Sequence, residues 1–334
     1  MSWPTTDAAR DRFVLERRGP RSEPDPWQYQ NLVVEDERAA DGSRARVATI
    51  FLTGRECPWR CVMCDLWTHT TTTDTPLGAI PAQVMAARQV LGAELPSITQ
   101  IKLYNAGSFF DPRAVPEGDY DSIATLLQGF ERVILESHPS LVGRRVDRFL
   151  DALERHRLPG APLCSLEVAM GLETAHPLAL ERLHKHMTVE SFVEAGARLK
   201  ARGVALRVFL LISPPFVGPH EQEVWLLRSI DLAFACGATA ISLIPTRAGN
   251  GALDLLAQEG LFRTARLAEI EQSVEVAQAH AVGRGRIFVD LWEISRFTDC
   301  VHCCAARRAR LHRMNLEQRS LPSVVCRHCS VVDQ

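Results

Sequence analysis

The chain has no run approaching 18 uncharged apolar residues, only three lysines (Lys102, Lys185 and Lys200) among 38 basic residues, and a net charge of just −2. Without such a run no bilayer-spanning helix is expected. The N-terminal stretch MSWPTTDAARDRFVLERRGP carries acids and arginines where a secretory signal needs an apolar core, so the expected location is the cytoplasm, with no membrane partner. The small net charge neither selects nor excludes a polyanion, and nucleic-acid contact would have to come from a local patch. In a reducing compartment the ten cysteines are not expected to form disulfides, and their clustering points to metal or redox chemistry. No fixed-period repeat is visible.

What is present is enough apolar sequence, 46% of 334 residues, to bury about three quarters of the unfolded surface. Residues 1–45 are polar and interrupted by Pro20, Pro24 and Pro26, which reads as an irregular arm or short helix laid over a domain. Seven short β-branched runs follow, at 47–54, 98–107, 132–139, 164–173, 205–215, 238–246 and 286–292. Each is bounded by Gly, Pro or polar residues. Between them lie segments of helical period, at 81–93, 146–156, 189–203 and 220–237, with Thr188 as a start signal for the third. Strands apolar on both faces and alternating with helices predict an α/β fold, a parallel sheet closed into a full or partial TIM-like barrel over 46–296. The tail, 297–334, is a small cysteine-bound appendage.

The stretch from Glu56 to Trp67 reads ECPWRCVMCDLW, with Cys57, Cys61 and Cys64 and no further cysteine before Cys164. It follows the first strand directly, on the end where barrels build their sites. Three thiolates on one loop can hold three irons of a 4Fe-4S cluster and leave the fourth iron without a protein ligand. A three-cysteine zinc site completed by a remote ligand such as His69 is the other arrangement these residues allow.

The CxxxCxxC array in this position resembles the signature of the radical S-adenosylmethionine superfamily, and the later motifs resemble its archaeosine synthase and elongator-like lineage. The resemblance implies a barrel enzyme with an open 4Fe-4S cluster and S-adenosylmethionine, fed by an electron donor such as flavodoxin or ferredoxin. It implies reductive cleavage to a 5′-deoxyadenosyl radical, which abstracts hydrogen from a substrate. Matched residue by residue, the turn Asn105, Ala106, Gly107 and Ser108 would bind the methionine amino group, Glu173 the ribose hydroxyls, and Arg207 the carboxylate. Arg207 could equally pair within the chain with Glu167 or Glu173. Ile212 would flank the adenine. Met63 stands where the family usually has an aromatic, while Trp59 and Trp67 suit an apolar shield. Arg247 and Asn250, past the sixth run, are placed for substrate or cofactor contact; Tyr104, Glu136 and His138 lie near strand ends without an assigned role.

Cys300, Cys303, Cys326 and Cys329 have the spacing of a four-cysteine zinc site, and they could also hold an auxiliary iron-sulfur cluster. Cys304 is surplus and could replace Cys303. Between the pairs, Arg307, Arg308, Arg310, Arg313 and Arg319 face only Glu317 in the local sequence, a patch able to grip RNA phosphates or to be a solvated helix face. The resemblance implies a modified tRNA base or a small metabolite as substrate. The rival to an enzyme is a non-catalytic, zinc-bound adaptor that binds nucleic acid.

Overall fold

All seven β-branched runs form strands, and they lie side by side in chain order. The computed structural model, which describes residues 3–160 and 164–329, has one eight-stranded sheet: β1 (Asn31–Arg38), β2 (Arg44–Leu52), β3 (Gln100–Asn105), β4 (Arg132–Glu136), β5 (Ser165–Glu173), β6 (Ala205–Ile212), β7 (Ala238–Pro245) and β8 (Arg286–Val289). The β1–β2 pair is antiparallel and every later pair is parallel. The strands β1 and β8 are the edges and do not pair with each other, so the sheet curls as a partial barrel.

Ten helices accompany it: α1 (Asp7–Leu15), α2 (Ala79–Leu91), α3 (Tyr120–Leu126), α4 (Arg144–Arg155), α5 (Pro177–Arg182), α6 (Val189–Ala201), α7 (Gln222–Ala235), α8 (Ala252–Gln258), α9 (Leu267–His280) and α10 (Val301–Glu317), all among the described residues. The helical period is what seats them. Ile80, Val84, Ala87 and Leu91 of α2, or Leu226, Ile230 and Ala233 of α7, fall on one face and join the core around the strands. Thr188 caps α6 as expected: its hydroxyl accepts the Ser191 N–H at 3.2 Å, and Ser191 returns the bond at 3.0 Å. No helix of the described residues is long and apolar enough to cross a membrane.

Two segments hold more structure than their composition suggests. Residues 1–45 carry α1 and also β1, whose sequence NLVVEDER is half-buried throughout and neither alternates nor reads as apolar. The tail forms the 17-residue α10, packed on β8 and β1; its last residues, 330–334, lie outside the described residues.

The interior near the strand starts is a layer of paired charges. Arg207 on β6 donates to Glu167 at 2.7 Å and to Glu37 at 3.0 Å, Arg132 bonds Glu167 at 2.9 Å, and Lys102 pairs with Glu37. Glu167 is fully buried and Arg207 nearly so. Charges this deep persist only when mutually satisfied. Burial alone would raise the pKa of Glu37, but Arg207 and Lys102 outweigh it and hold the carboxyl at about 2.

Removing Glu167 strands Arg207 and Arg132, so Glu167→Ala should lower stability by about 3–5 kcal/mol, read from the denaturant midpoint; a loss below ~1 kcal/mol would show that the layer is not structural. The folded pKa of Glu37 lies below its unfolded value, so its contribution is complete above about pH 4.5 and lost as pH falls towards 2. Glu37→Gln should flatten that part of the acid-unfolding curve.

Candidate active site and metal centre

The loop after β2 remains irregular until a short 3-10 turn at Leu66–His69. Cys57, Cys61 and Cys64 are half-buried on it. Burial is the main cause that pushes their thiol pKa values up, to about 12 for Cys64; the charge of neighbouring sulfurs adds to it at Cys61 and Cys64, and that of Glu56 at Cys57. The three are near enough to feel one another electrostatically, yet they do not draw together within 4.8 Å, and His69 does not complete such a group. Three thiolates on one loop are the donor set that can hold three irons of a 4Fe-4S cluster.

Distant residues hold this loop. The Val62 N–H donates to the Leu183 carbonyl at 3.0 Å, and the Glu56 N–H donates to the Thr71 carbonyl at 3.0 Å. Asn250 donates from Nδ2 to the Val62 carbonyl at 2.7 Å while its Oδ1 accepts the Leu253 N–H at 2.8 Å, so one amide ties the loop to the start of α8. Glu56, beside Cys57, is bound by Arg18 at 2.7 Å, Arg60 at 3.1 Å and Arg21. Phe13 and Val14 of α1 pack with Val62, Ala252, Leu253, Leu256 and Phe262, and Met63 rests against this cluster. Trp59 stacks on His138 with ring centroids 3.7 Å apart. The His138 Nε2–H donates to the Lys185 carbonyl at 2.9 Å, and its Nδ1 accepts the Ser140 N–H at 3.2 Å. Burial, aided by the Lys185 charge, lowers the His138 pKa to about 3, so the ring is neutral. Trp67 is buried under the guanidinium groups of Arg18 and Arg21.

The turn 105–108 lies directly against the cysteine loop: a Cβ on Gly107 would sit 3.1 Å from the Cys57 Cβ, so glycine permits the approach. Asn105, buried at the end of β3, has neither Oδ1 nor Nδ2 partnered. A buried amide left wholly unsatisfied is costly, and a ligand carrying a donor and an acceptor would remove the cost. The residues present therefore fit S-adenosylmethionine beside an open cluster. Ala106 is half-buried between them, and Ser108 hydrogen-bonds the Ser137 hydroxyl at 3.2 Å and the His138 N–H at 3.3 Å.

Glu173 has a left-handed backbone, φ 67°, and folds back over Gly171 to pair with Lys185. A Cβ at 171 would lie 2.0 Å from Glu173 Oε1, so only glycine allows that fold-back. Both Lys185 and Glu173 act electrostatically on Cys61. Glu173 and Ile212 share the wall of a cavity of 180 Å³ with Ser213, Pro214 and Trp225; no cysteine lines it. Glu136 points into the interior near Lys185, Glu173 and Lys102, and burial raises its pKa to about 8. Arg207 is not brought to the cysteine loop: its partners are Glu167 and Glu37, the first of them the intramolecular pair weighed from sequence. Arg247 pairs with Asp290 and donates to the Trp292 carbonyl at 3.1 Å.

At the other end of the chain, the sulfurs of Cys300, Cys303, Cys326 and Cys329 all lie within 4.8 Å of one another, with Cys300 to Cys326 at 3.9 Å and Cys303 to Cys329 at 3.5 Å. Cys304 is outside the group. Four of the five arginines of this segment pair with carboxylates of the chain. Arg307 pairs with Glu271, Arg310 with Glu271 at 3.2 Å and with Glu275, and Arg313 and Arg319 with Glu317 at 2.9 and 2.6 Å. Glu271 and Glu275 belong to α9, which is why the local sequence showed only Glu317.

No family model matches the chain. Archaeosine synthase subunit beta of Methanosarcina acetivorans is 27% identical over 287 residues, which cover 80% of this chain and 78% of that protein. An uncharacterised protein of Methanocaldococcus jannaschii is 24% identical over 161 residues, 46% of this chain and 41% of its own length. Among solved structures, Elp3 of Methanocaldococcus infernus with its N-terminus deleted superposes with a TM-score of 0.52 at 13% identity, over 70% of this chain and 59% of that one, so this chain spans less than two thirds of it and the likeness is one of fold. A three-cysteine loop at the end of the first parallel strand, a fold shared with Elp3, and a relation at 27% identity running across 80% of the chain to archaeosine synthase subunit beta are what the comparisons and the site have in common.

Proposed function

We propose that the protein reductively cleaves S-adenosylmethionine and uses the deoxyadenosyl radical to take a hydrogen atom from a substrate held in the half-barrel. The observation that carries this reading is the trio Cys57, Cys61 and Cys64 on one loop, packed against the turn that bears the partnerless amide of Asn105. Held by the three thiolates, a 4Fe-4S cluster would supply the single electron, replenished by a donor such as flavodoxin or ferredoxin.

The chain's own residues do the positioning. Asn105 with the backbone of Ala106, Gly107 and Ser108 would bind the methionine end, Glu173 would exchange Lys185 for the ribose hydroxyls, and Ile212 would back the adenine. Arg207 already carries two carboxylates, which supports a structural role for it over contact with a third. The neutral His138, stacked on Trp59, and the arm over Val62 keep water and stray charge from the loop, as radical chemistry requires. Glu136, poised near neutrality, is a proton-carrying group at the substrate end.

The relation to an archaeosine synthase subunit supports a modified tRNA base as substrate; the internal pairing of the α10 arginines supports a small metabolite. Removing the protein from its host and asking whether tRNA nucleosides or free metabolites change separates the two. For the C-terminal group we propose zinc. Four thiolates about 2.3 Å from one tetrahedral ion stand ~3.8 Å apart, which the 3.9 and 3.5 Å separations match.

Crossed metal analysis tests both centres. Anaerobically reconstituted Cys61→Ala should lose about four irons and all 5′-deoxyadenosine formation under dithionite, and keep its zinc; Cys326→Ser should lose one zinc and no iron. Turnover surviving in Cys61→Ala, or iron lost from Cys326→Ser, would contradict the respective assignment. Asn105→Ala should weaken S-adenosylmethionine binding by about 10- to 100-fold in equilibrium dialysis with iron content unchanged.

A further inference from the structure

We propose a third metal site, separate from both cysteine groups, in which Asp7, His184 and His186 bind a divalent transition-metal ion and fasten α1 to the loop at 183–187. Among the described residues this is the one other group, besides the four C-terminal cysteines, whose ligand atoms all lie within 4.8 Å of one another.

The side chains turn three ligand atoms towards a common point. His184 is 2% exposed, and its Nε2 lies 2.9 Å from Asp11 Oδ1. A carboxylate only accepts, so Nε2 donates to Asp11 and Nδ1 is the ring nitrogen turned towards Asp7. That Nδ1 faces Asp7 Oδ1 at 3.8 Å, and His186 Nδ1 faces Asp7 Oδ2 at 4.0 Å. Both separations exceed hydrogen-bond reach. Two imidazole nitrogens and a carboxylate oxygen thus converge within 4.8 Å of one another, a spacing that a single ion can bridge. Asp11 behind His184 is the outer carboxylate that commonly orients a metal-bound imidazole.

The histidines flank Lys185, and their backbones are both left-handed, with φ 57° and 54°, which brings the two rings to 4.3 Å of each other. Two nitrogens and an oxygen suit zinc and its first-row neighbours; calcium and magnesium prefer oxygen throughout. Asp7 and His186 are exposed, which leaves a path for the ion and room for a water to complete its shell.

The consequence of occupancy is mechanical. Leu183 holds Val62 of the cysteine loop, Lys185 holds Glu173, and α1 covers the same loop through Phe13 and Val14. An ion joining Asp7 to His184 and His186 closes these contacts into one unit. The inference does not depend on the chemistry proposed for the barrel.

The test uses the full reconstituted protein, loaded with zinc alone, desalted and analysed for metal. The Asp7→Asn/His186→Ala variant alters two exposed residues and keeps the buried His184–Asp11 bond, so it should fold; it is expected to hold one zinc fewer per chain than the wild type. Equal zinc in the two proteins overturns the site. With zinc at ~100 times its Kd, hydrogen exchange across α1 should slow by up to ~100-fold in the wild type and not in the variant; zinc uptake with unchanged α1 exchange overturns the fastening.

Discussion

A loop that carries three cysteines within eight residues and is neither strand nor helix along its length must find partners for its backbone polar groups elsewhere in the chain. That requirement organises much of this molecule. Val62, Glu56 and Cys64 reach Leu183, Thr71 and Asn250, and the Glu56 carboxylate gathers arginines from the N-terminal arm. The arm, the 183–187 loop and the start of α8 look like peripheral features of a barrel. Physically they are the scaffold of the cysteines, because the sheet itself supplies only the point from which the loop departs.

The half-barrel interior divides along its axis. At the strand starts, Arg207, Glu167, Glu37, Lys102 and Arg132 satisfy one another and act as a rigid floor. At the strand ends, Asn105 has no partner and Glu136 is held near a pKa of about 8 by burial. Paired charges give stability without reactivity; unpaired polar groups give the reverse. The same division explains why Arg207, a basic residue inside an apolar run, belongs with the floor.

The strands were legible because β-branched runs bounded by Gly and Pro are a local signal, and CxxxCxxC is legible because its ligands lie within eight residues. The edge strand β1 was not. Its NLVVEDER has acids facing Lys102 and Arg207, so the residues that pack it look like surface. The pairing of Arg307 and Arg310 was not legible for a related reason: their partners Glu271 and Glu275 sit on another helix. Asp11 and His184 are 173 positions apart in the chain. No window of sequence contains both, and only the docking of α1 creates their bond. Asn250 was expected to contact substrate or cofactor; its grip on the Val62 carbonyl could not be read without knowing where the cysteine loop lies.

The far-flung clamps on the cysteine loop also set a calendar. A ribosome releases residues 57–64 early, Leu183 more than a hundred residues later, and Asn250 and α8 later still. Although α1 emerges first, the apolar seat formed by Leu253, Leu256 and Phe262 is the last of its partners to be made. During synthesis the three thiols therefore stand open on an unfinished barrel, and the polypeptide closes over them only when most of its length has been translated.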